Sequence, residues 1–334
     1  MRSTPDAYDH IGVIGAGAWG TALAVVAAHA GRRVTLWARE SQVVESISAH
    51  RENRLFLRGV QLPKTISATG DLEAAAVADA LLLVAPAQHV RATAVALKPH
   101  LSHGRPVVVC AKGIERGTGK LMNEVLAEFA AEVQIGVLSG PSFARDVAAG
   151  LPTAVTIAAQ ASIAQQLQAS LGHEAFRPYG SDDVIGVALG GAAKNVYAIA
   201  CGIVAGMGLG ESARAALLAR SFAELRRFGE ALGAKSETLM GLSGLGDLVL
   251  TATSPTSRNF SFGLAIGRGA TRAHLDTQGR PLAEGVETAP ALLARAQALG
   301  IELPIAETTA AIVNGTLTLD AAIPRLMTRP LKSE

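Results

Sequence analysis

A glycine-rich turn between a strand and a helix constrains the fold of this chain more than any other feature of its sequence. Residues 11–14 form a short apolar strand, followed by Gly15-Ala16-Gly17-Ala18-Trp19-Gly20 and a helical stretch to about Ala30. In this pattern the first glycine permits a tight turn, the second lets a pyrophosphate approach the backbone, and the third lets helix and strand pack closely. The helix N-terminus adds unpaired N–H groups and a positive dipole end. The pattern therefore predicts a dinucleotide site at Gly15, Gly17 and Gly20.

Strand and helix signals alternate along the first half of the chain. Residues 80–85 and 106–110 are apolar runs bounded by turn residues, which fit strands that are buried on both faces of a parallel sheet. Further strands are predicted at residues 33–37, 134–138 and 154–157. After about Ser181, helical periods rich in Ala, Leu and Arg replace them, as in residues 213–232 and 287–298. We therefore expect a doubly wound α/β domain over residues 1–184 and an all-α domain over residues 185–334.

The composition excludes several classes of function. Hydrophobic residues make up 49% of the 334 residues and charged residues 17%, which is typical of a well-buried globular chain. A formal net charge of +2 gives no reason to expect nucleic-acid binding, and 4% aromatic residues are too few for a platform that stacks single strands. Cys110 and Cys201 both lie in apolar runs, which favours buried thiols in a reducing cytosol. A cytoplasmic location is therefore expected.

The apolar run over residues 184–210 holds one charged side chain, Lys194. A membrane span is disfavoured because the polar pair Lys194-Asn195 lies mid-run, glycines interrupt it and no basic cluster flanks it, so a buried core helix or helix pair is expected. An ammonium in such surroundings is costly unless it is paired, neutralised or used, and a desolvated lysine can exchange a proton near neutral pH. Taken alone, a lysine that reaches solvent from the helix edge is the more common explanation.

The residues after the second strand bear on the choice of cofactor. An acidic side chain there would bind the ribose 2′-hydroxyl of NAD, but the chain has Trp37-Ala38-Arg39, with Glu40 one position later. Arg39 could hold a 2′-phosphate by charge-assisted hydrogen bonds, or it could be a solvated surface arginine. NADP(H) is therefore the favoured cofactor, and NAD(H) is possible.

Polar residues recur in glycine-flanked, otherwise apolar segments. Lys112 follows one buried strand and Ser139-Gly140-Pro141-Ser142 follows another, which places both at the carboxyl edge where such sheets bind ligands. Asp247 ends the glycine-rich Gly244-Leu245-Gly246-Asp247, and Ser257-Arg258-Asn259 offers a hydroxyl, a guanidinium and an amide suited to a phosphate. Taken singly, these segments could equally be a turn, a helix cap and a surface ion pair.

Together and in this order, the segments resemble the bacterial NAD(P)-dependent glycerol-3-phosphate dehydrogenases. The resemblance extends from Ile11 to about Leu317, and its most specific pieces are Val13-Ile14-Gly15-Ala16-Gly17, Leu138-Ser139-Gly140-Pro141-Ser142-Phe143-Ala144, Leu189-Gly190-Gly191-Ala192-Ala193-Lys194-Asn195-Val196, Gly244-Leu245-Gly246-Asp247-Leu248 and Ser257-Arg258-Asn259. It implies an α/β Rossmann-type N-terminal domain and an all-α C-terminal domain like that of 6-phosphogluconate dehydrogenase. A homodimer is also expected.

The resemblance implies a role for each matching position. Lys194 matches the catalytic proton acceptor and a substrate contact. Further substrate contacts are implied for Lys112, Gly140, Ser142, Asp247, Ser257, Arg258 and Asn259, and cofactor contacts for Ala18, Trp19, Arg39, Lys112, Ala144, Arg258, Leu282 and Glu284 besides the three glycines. The chain departs from the family at Trp19 and Leu282, where Tyr or Phe and Val are frequent, and at Phe260, where a basic residue is common.

The implied reaction is reversible hydride transfer between NAD(P)H and C2 of dihydroxyacetone phosphate, giving sn-glycerol 3-phosphate for glycerophospholipid synthesis. Lys194 would exchange the proton, Lys112 would stabilise developing negative charge, and Arg258 with Asn259 would hold the phosphate. Two alternatives stay open: a related hydroxyacid or ketoacid reductase that acts on a carboxylate substrate, and a cofactor-sensing protein without turnover. A metal site is not expected, because His100 and His103 lie in a polar turn without further ligands.

Overall fold

The computed structural model describes residues 7–277 and 283–328. This part of the chain forms two compact units. The first extends to Lys112 and continues over Lys120–Ala188, and the second comprises Gly113–Gly119 and the residues from Leu189 onward. No pattern in the sequence indicated that the short segment Gly113–Gly119 belongs with the second unit.

The first unit is built on a sheet that has eight strands within the described residues. They are β1 (His10–Ile14), β2 (Arg33–Trp37), β3 (Ile66–Thr69), β4 (Ala80–Leu83), β5 (Pro106–Val109), β6 (Gln134–Ser139), β7 (Thr153–Ala158) and β8 (Phe176–Ser181). Their order across the sheet is β3-β2-β1-β4-β5-β6-β7-β8. All neighbouring pairs are parallel except β6 and β7, which are antiparallel. The order reverses between β1 and β4, and ligands of open α/β sheets bind at such a switch point.

The predicted doubly wound α/β domain is confirmed, and the sheet is larger than the sequence pattern indicated. β3 was missed because Ser67 and Thr69 interrupt its apolar character, and β8 because Pro178 and Gly180 are typical turn residues. Both are edge strands, where polar residues and proline are tolerated because one side of the strand needs no ladder hydrogen bonds.

The continuous apolar runs are explained by burial on both faces of the sheet. In β4, Ala80 and Leu82 pack into the core on one face, whereas Leu81 and Leu83 pack into the core on the other, and all four are fully buried. Successive side chains of a strand point to opposite faces, so a strand covered on both sides needs an apolar residue at every position.

Helices cover the sheet and connect its strands. In the first unit they are α1 (Ala18–His29), α2 (Ser41–His50), α3 (Leu72–Ala76), α4 (Val90–Leu97), α5 (Met122–Ala127), α6 (Ala144–Ala148) and α7 (Ala161–Leu171), with short 3₁₀ turns at Ala87–His89 and Lys98–His100. α1 ends one residue before Ala30, where the sequence predicted its end.

The described regular structure of the second unit is helical, as predicted. It consists of α8 (Val184–Gly206), which begins in the first unit, and of α9 (Glu211–Ala231), α10 (Ser236–Met240), α11 (Asp247–Thr253), α12 (Arg258–Gly267), α13 (Arg272–Thr277), α14 (Glu284–Ala298), α15 (Pro304–Val313) and α16 (Leu319–Met327), with a π-helical turn at Leu242–Gly246.

The long apolar helix α8 packs closely against α12. A Cβ added to Gly202 would lie 2.1 Å from the carbonyl oxygen of Phe260, and one added to Gly263 would lie 2.1 Å from that of Ile199. The two backbones could not approach so closely with larger residues, which accounts for Gly202 on α8 and Gly263 on α12. By length and hydropathy alone α8 could cross a membrane, but 89% of its most apolar window is buried inside the protein.

Candidate active site

The glycine-rich loop of the first unit has the geometry that its sequence predicts. Gly15 follows β1 with a φ of 118°, a backbone conformation that favours glycine, and its N–H donates to the carbonyl oxygen of Trp37 at the end of β2 (3.1 Å). A Cβ on Gly20 would lie 1.8 Å from the carbonyl oxygen of Gly15, whereas a Cβ on Gly17 would have no atom within 4 Å. The third glycine thus lets the helix pack onto the turn, and the second leaves open space for a ligand.

The first turn of α1 is suited to an anion. Ala18 and Trp19 are the first two residues of this helix, and its first turn contains no acidic side chain. The N–H groups of a first turn lack acceptors within the helix, and the helix dipole places partial positive charge there. Since the loop also lies at the switch point between β1 and β4, the residues present fit a dinucleotide pyrophosphate.

Arg39 lies just beyond β2, whose last residue accepts the hydrogen bond from Gly15 of the glycine-rich loop. Its side chain is 72% exposed and forms an ion pair with Glu40 at 3.0 Å. Arg39, the residue predicted to contact the ribose phosphate, is therefore paired with the acidic residue that follows it. An exposed pair of this kind contributes little to stability, so either partner can exchange it for a ligand at small cost.

A second group of predicted residues meets at the carbonyl oxygen of Gly140, just after β6. The Nζ of Lys112 donates to this oxygen at 3.0 Å, and so does the Oγ of Ser142, also at 3.0 Å. Lys112 follows β5, the parallel neighbour of β6, so both approach from the carboxyl edge of the sheet. Ala144, another predicted contact, is the first residue of α6.

Lys194 is buried in the second unit and does not reach solvent. It is 6% exposed, and its Nζ donates to Oδ1 of Asp247 and to Oγ1 of Thr251, the latter at 2.8 Å. Asp247 is 1% exposed, so both charges of this ion pair are withdrawn from water. An ammonium held by a carboxylate and a hydroxyl has a fixed position and a proton to give, which is the arrangement of a general acid–base group.

The backbone around Lys194 is packed to bring Asp247 within reach. A Cβ on Gly190 would lie 2.5 Å from the carbonyl oxygen of Ser243, in the π-helical turn that immediately precedes Asp247. Gly190 lies one helical turn before Lys194 on α8. Because α8 and the π-helical turn approach so closely, the first residue of α11 can meet the lysine side chain.

The segment Ser257-Arg258-Asn259 begins α12, and two of its side chains are engaged within the protein. Oγ of Ser257 caps the helix by accepting from the N–H of Phe260 at 3.2 Å. Nδ2 of Asn259 donates to Oδ1 of Asn195 at 2.8 Å, and Oδ1 of Asn259 accepts from the N–H of Gly285 at 2.9 Å. Arg258, the first residue of the helix, is exposed. Asn259 thereby connects the neighbour of Lys194 to the start of α14.

Two predicted contacts remain, Glu284 and Leu282. Glu284 is the first residue of α14 and is half-buried. Leu282 lies outside the described residues.

Comparison with known proteins decides the family. The models for the NAD-dependent glycerol-3-phosphate dehydrogenase N-terminus and C-terminus match residues 10–165 and 183–324. This chain belongs to the NAD-dependent glycerol-3-phosphate dehydrogenase family. The resemblance predicted from the sequence is therefore confirmed.

Similar members of the glycerol-3-phosphate dehydrogenase family include bacterial proteins of nearly the same length. A glycerol-3-phosphate dehydrogenase [NAD(P)+] of Parvibaculum lavamentivorans is 56% identical over 329 residues, covering 98% of this chain and 99% of its own length. A protein of the same name from Bradyrhizobium is 56% identical over 328 residues, covering 98% of each chain. The crystal structure of glycerol-3-phosphate dehydrogenase from Coxiella burnetii superimposes with a TM-score of 0.91 at 39% identity, over 97% of this chain and 99% of that one.

Sequence reasoning missed two residues whose side chains bond predicted site residues. Thr251 bonds Lys194, and the available signal was its spacing, since residues four apart on a helix share a face and Thr251 follows Asp247 by four. Asn195 was noticed only as the neighbour of Lys194, yet its side chain binds Asn259. That contact joins residues 64 apart in sequence and left no local pattern to find.

Metal ligation and thiol chemistry were the other two possibilities that His and Cys residues raised. Within residues 7–277 and 283–328, no three His, Cys, Asp or Glu side chains group as metal ligands would. Cys110 and Cys201 are buried and form no disulfide. Burial raises the pKa of both thiols, that of Cys201 to about 12, so neither is a reactive nucleophile at neutral pH.

Proposed function

We propose that this chain catalyses the reversible reduction of dihydroxyacetone phosphate to sn-glycerol 3-phosphate with NADH or NADPH. The observation that carries the proposal is the buried ammonium of Lys194, held by Asp247 and Thr251 in a chain of this dehydrogenase family. A buried ion pair is a poor way to stabilise a fold, because the cost of withdrawing both charges from water offsets their mutual attraction. The alternative of a reductase for a carboxylate substrate is not favoured by the comparisons.

The residues of the chain divide the work between proton transfer and positioning. When bound, the nicotinamide supplies the hydride for C2 of the ketone. Lys194 gives a proton to the C2 oxygen during reduction and accepts one from the C2 hydroxyl during oxidation. Asp247 and Thr251 hold its Nζ in place, so Asp247 acts through Lys194 as well as being a proposed substrate contact.

The phosphate of the substrate is proposed to bind at the start of α12. Arg258 is exposed there as the first residue, beside the N–H groups of the first helical turn. Binding energy from the phosphate, remote from C2, orients the carbonyl for reaction. Gly140, Ser142, Ser257, Asn259 and Lys112 are the further proposed substrate contacts, with the Lys112 ammonium opposing negative charge.

The cofactor is proposed to bind the glycine-rich loop of the first unit. Gly15, Gly17, Gly20, Ala18 and Trp19 form the pyrophosphate site, and Arg39, Lys112, Ala144, Arg258, Leu282 and Glu284 are the other proposed contacts. Arg39 favours NADP(H), because its exposed guanidinium can leave Glu40 for a 2′-phosphate.

At the level of domains, residues 1–184 would supply most of the cofactor contacts and residues 185–334 would carry the catalytic group. We also propose a homodimer in the cytoplasm.

The experiment that tests this function is a reductase assay with purified protein. Oxidation of NADPH and of NADH is followed by the absorbance of the reduced nicotinamide, with dihydroxyacetone phosphate in one arm and an unphosphorylated 2-keto acid in the other. We expect turnover with dihydroxyacetone phosphate and sn-glycerol 3-phosphate as the product. Turnover with the keto acid alone would support the carboxylate reductase instead, and cofactor binding without turnover would support a sensor.

A further inference from the structure

Asn53 is fully buried although it lies in the irregular segment that follows α2. α2 ends at His50, and the next residue, Arg51, has a left-handed backbone with a φ of 55°, which turns the chain back. The Asn53 side chain then makes three hydrogen bonds. Its Nδ2 donates to the carbonyl oxygen of Ala16 and to Oγ1 of Thr21, both at 2.8 Å, and its Oδ1 accepts from the N–H of Phe56 at 3.1 Å.

The carbonyl that Asn53 binds belongs to the middle of the glycine-rich loop. Ala16 lies between Gly15 and Gly17, and its oxygen also accepts from Oγ1 of Thr21 at 3.4 Å. The peptide group is planar and trans, so the C=O of Ala16 and the N–H of Gly17 point in opposite directions. A side chain that fixes this carbonyl inward therefore fixes the Gly17 N–H outward, at the glycine that has open space beside its Cα.

We propose that Asn53 is a positioning residue for the dinucleotide: it holds the Ala16–Gly17 peptide in the orientation that presents an N–H to the pyrophosphate. The inference rests on the cofactor site of the proposed function. A loop held in its binding conformation before the ligand arrives loses less conformational freedom on binding, which raises affinity. NAD(H) and NADP(H) share the pyrophosphate, so Asn53 serves both equally.

Asparagine is the side chain this position needs. The site requires two donors for Ala16 and Thr21 and one acceptor for Phe56, all from one buried, uncharged group. Aspartate has the same shape but only acceptors when ionised, so it would set a carboxylate oxygen against the Ala16 carbonyl. The aspartate then favours the flipped orientation of the Ala16–Gly17 peptide, in which the Gly17 N–H no longer points outward. It also brings a negative charge close to the cofactor phosphates.

The segment itself has other attachments to α2, which supply a control. Nε2 of Gln61 donates to the carbonyl oxygens of His50 and Arg51 at 3.2 and 3.1 Å, and Oγ of Ser46 donates to that of Glu52 at 2.7 Å. Gln61→Glu is therefore the matched variant: it makes the same amide-to-carboxylate change and loosens the same segment, but its side chain does not bond the glycine-rich loop.

The test measures dissociation constants of NADPH and NADH for wild type, Asn53→Asp and Gln61→Glu by nicotinamide fluorescence, with steady-state kinetics alongside. We expect Asn53→Asp to weaken binding of both nucleotides by about tenfold or more, since a factor of ten corresponds to about 1.4 kcal/mol, which is within the usual cost of leaving a buried polar group unsatisfied. kcat at saturating cofactor and KM for dihydroxyacetone phosphate should change little. Gln61→Glu should bind both nucleotides as wild type does.

A second variant covers the case in which Asn53→Asp does not fold. Thr21→Val keeps the shape of a fully buried residue and removes the hydroxyl that bonds Asn53 and Ala16. Here we expect a smaller loss of affinity, about threefold for both nucleotides, because the direct bond from Asn53 to Ala16 remains.

Three results from the variants would overturn the inference: a folded Asn53→Asp protein that binds both nucleotides like wild type, a loss confined to NADPH, or an equal loss in Gln61→Glu. Either of the first two results would show that Asn53 does not act on the pyrophosphate site. The third would show that Asn53 only stabilises the segment after α2, as Gln61 does. Failure of the proposed function shows elsewhere, in a wild-type protein that binds neither nucleotide, and that result would overturn the inference with it.

Discussion

The glycine-rich loop of the first unit and the Lys194 cluster of the second unit (Lys194, Asp247 and Thr251) use different chemical groups. The loop offers backbone N–H groups on a turn that a neutral amide, Asn53, holds from beneath. The Lys194 cluster instead uses a charged side chain, fixed by Asp247 and Thr251 in surroundings that exclude water. The three glycines of the loop lie close together in sequence, whereas the cluster joins α8 to α11, and the residues of its ion pair lie 53 positions apart.

This difference has energetic consequences. A backbone turn with open space beside it tolerates change without unfolding, because few atoms depend on it. A buried ion pair carries a desolvation cost that is offset only while both partners are present. Substitutions in the two regions should therefore separate loss of binding from loss of stability.

The largest effect on stability is expected from Asp247→Leu. It leaves the Lys194 ammonium buried without its carboxylate, and breaking a buried pair in this way costs about 3–5 kcal/mol. Urea unfolding at neutral pH measures the loss.

In the loop, Gly17→Ala should change stability by less than about 0.5 kcal/mol, because its Cβ would meet no atom within 4 Å, while cofactor binding weakens.

The double variant Lys194→Met/Asp247→Leu sharpens this prediction. With both charges removed, most of the stability should return, although turnover does not. If the double variant were as unstable as Asp247→Leu, shape rather than charge would be responsible for the loss.

Glu224 gives a second buried carboxylate in the same unit, with a different partner. It is 4% exposed on α9, and its carboxylate accepts from the N–H of Ile305 at 2.8 Å and of Ala306 at 3.4 Å. Burial raises its pKa from the usual 4.5 to about 7, and those backbone N–H groups, the Arg227 charge and the Tyr197 hydroxyl limit the rise. Because the folded pKa lies above the unfolded one, the native state keeps a proton that the unfolded state has lost between these values.

The contribution of Glu224 to wild-type stability should therefore fall by about 3 kcal/mol as pH rises from about 4.5 to 7 and be level above. Glu224→Gln stays neutral and should gain stability relative to wild type over the same window. The measurement is the unfolding free energy of both proteins between pH 5 and about 8. Parallel curves would show that Glu224 does not titrate in this window.

The smallest effect is expected at Arg39, the exposed charge beside the loop. Arg39→Asp should shift preference from NADPH toward NADH, because a carboxylate repels a 2′-phosphate and can accept from a 2′-hydroxyl. With 72% of the side chain exposed, we expect about a tenfold change in the ratio of kcat/KM values. The ratio of kcat/KM for NADPH to that for NADH is measured for wild type and variant at fixed ionic strength. An unchanged ratio would show that residues other than Arg39 determine the cofactor preference.

The contrast between the two regions also explains what the sequence could predict. Gly15 and Gly17 lie between a strand and a helix, and Gly20 lies in the first turn of that helix, so the fold of the loop could be predicted from the local pattern. Lys194 was legible as the single charge of an apolar run. Its bonds to Asp247 and Thr251, the Asn195–Asn259 contact and the Asn53–Ala16 contact join distant segments, and only tertiary packing creates them. The sequence did not predict β8, because its proline and glycine are typical of turns. Both are tolerated in β8 because it is an edge strand.

The most direct test of this account is the turnover of Lys194→Met with dihydroxyacetone phosphate, measured together with its affinity for NADPH. The substitution removes the ammonium and leaves the glycine-rich loop untouched. We predict that kcat falls by about 10²–10⁴-fold, the usual contribution of a general acid–base group, while the dissociation constant of NADPH stays within about twofold of wild type. A folded variant whose kcat stays within about threefold of wild type would contradict the assignment of Lys194 as the proton-transfer group.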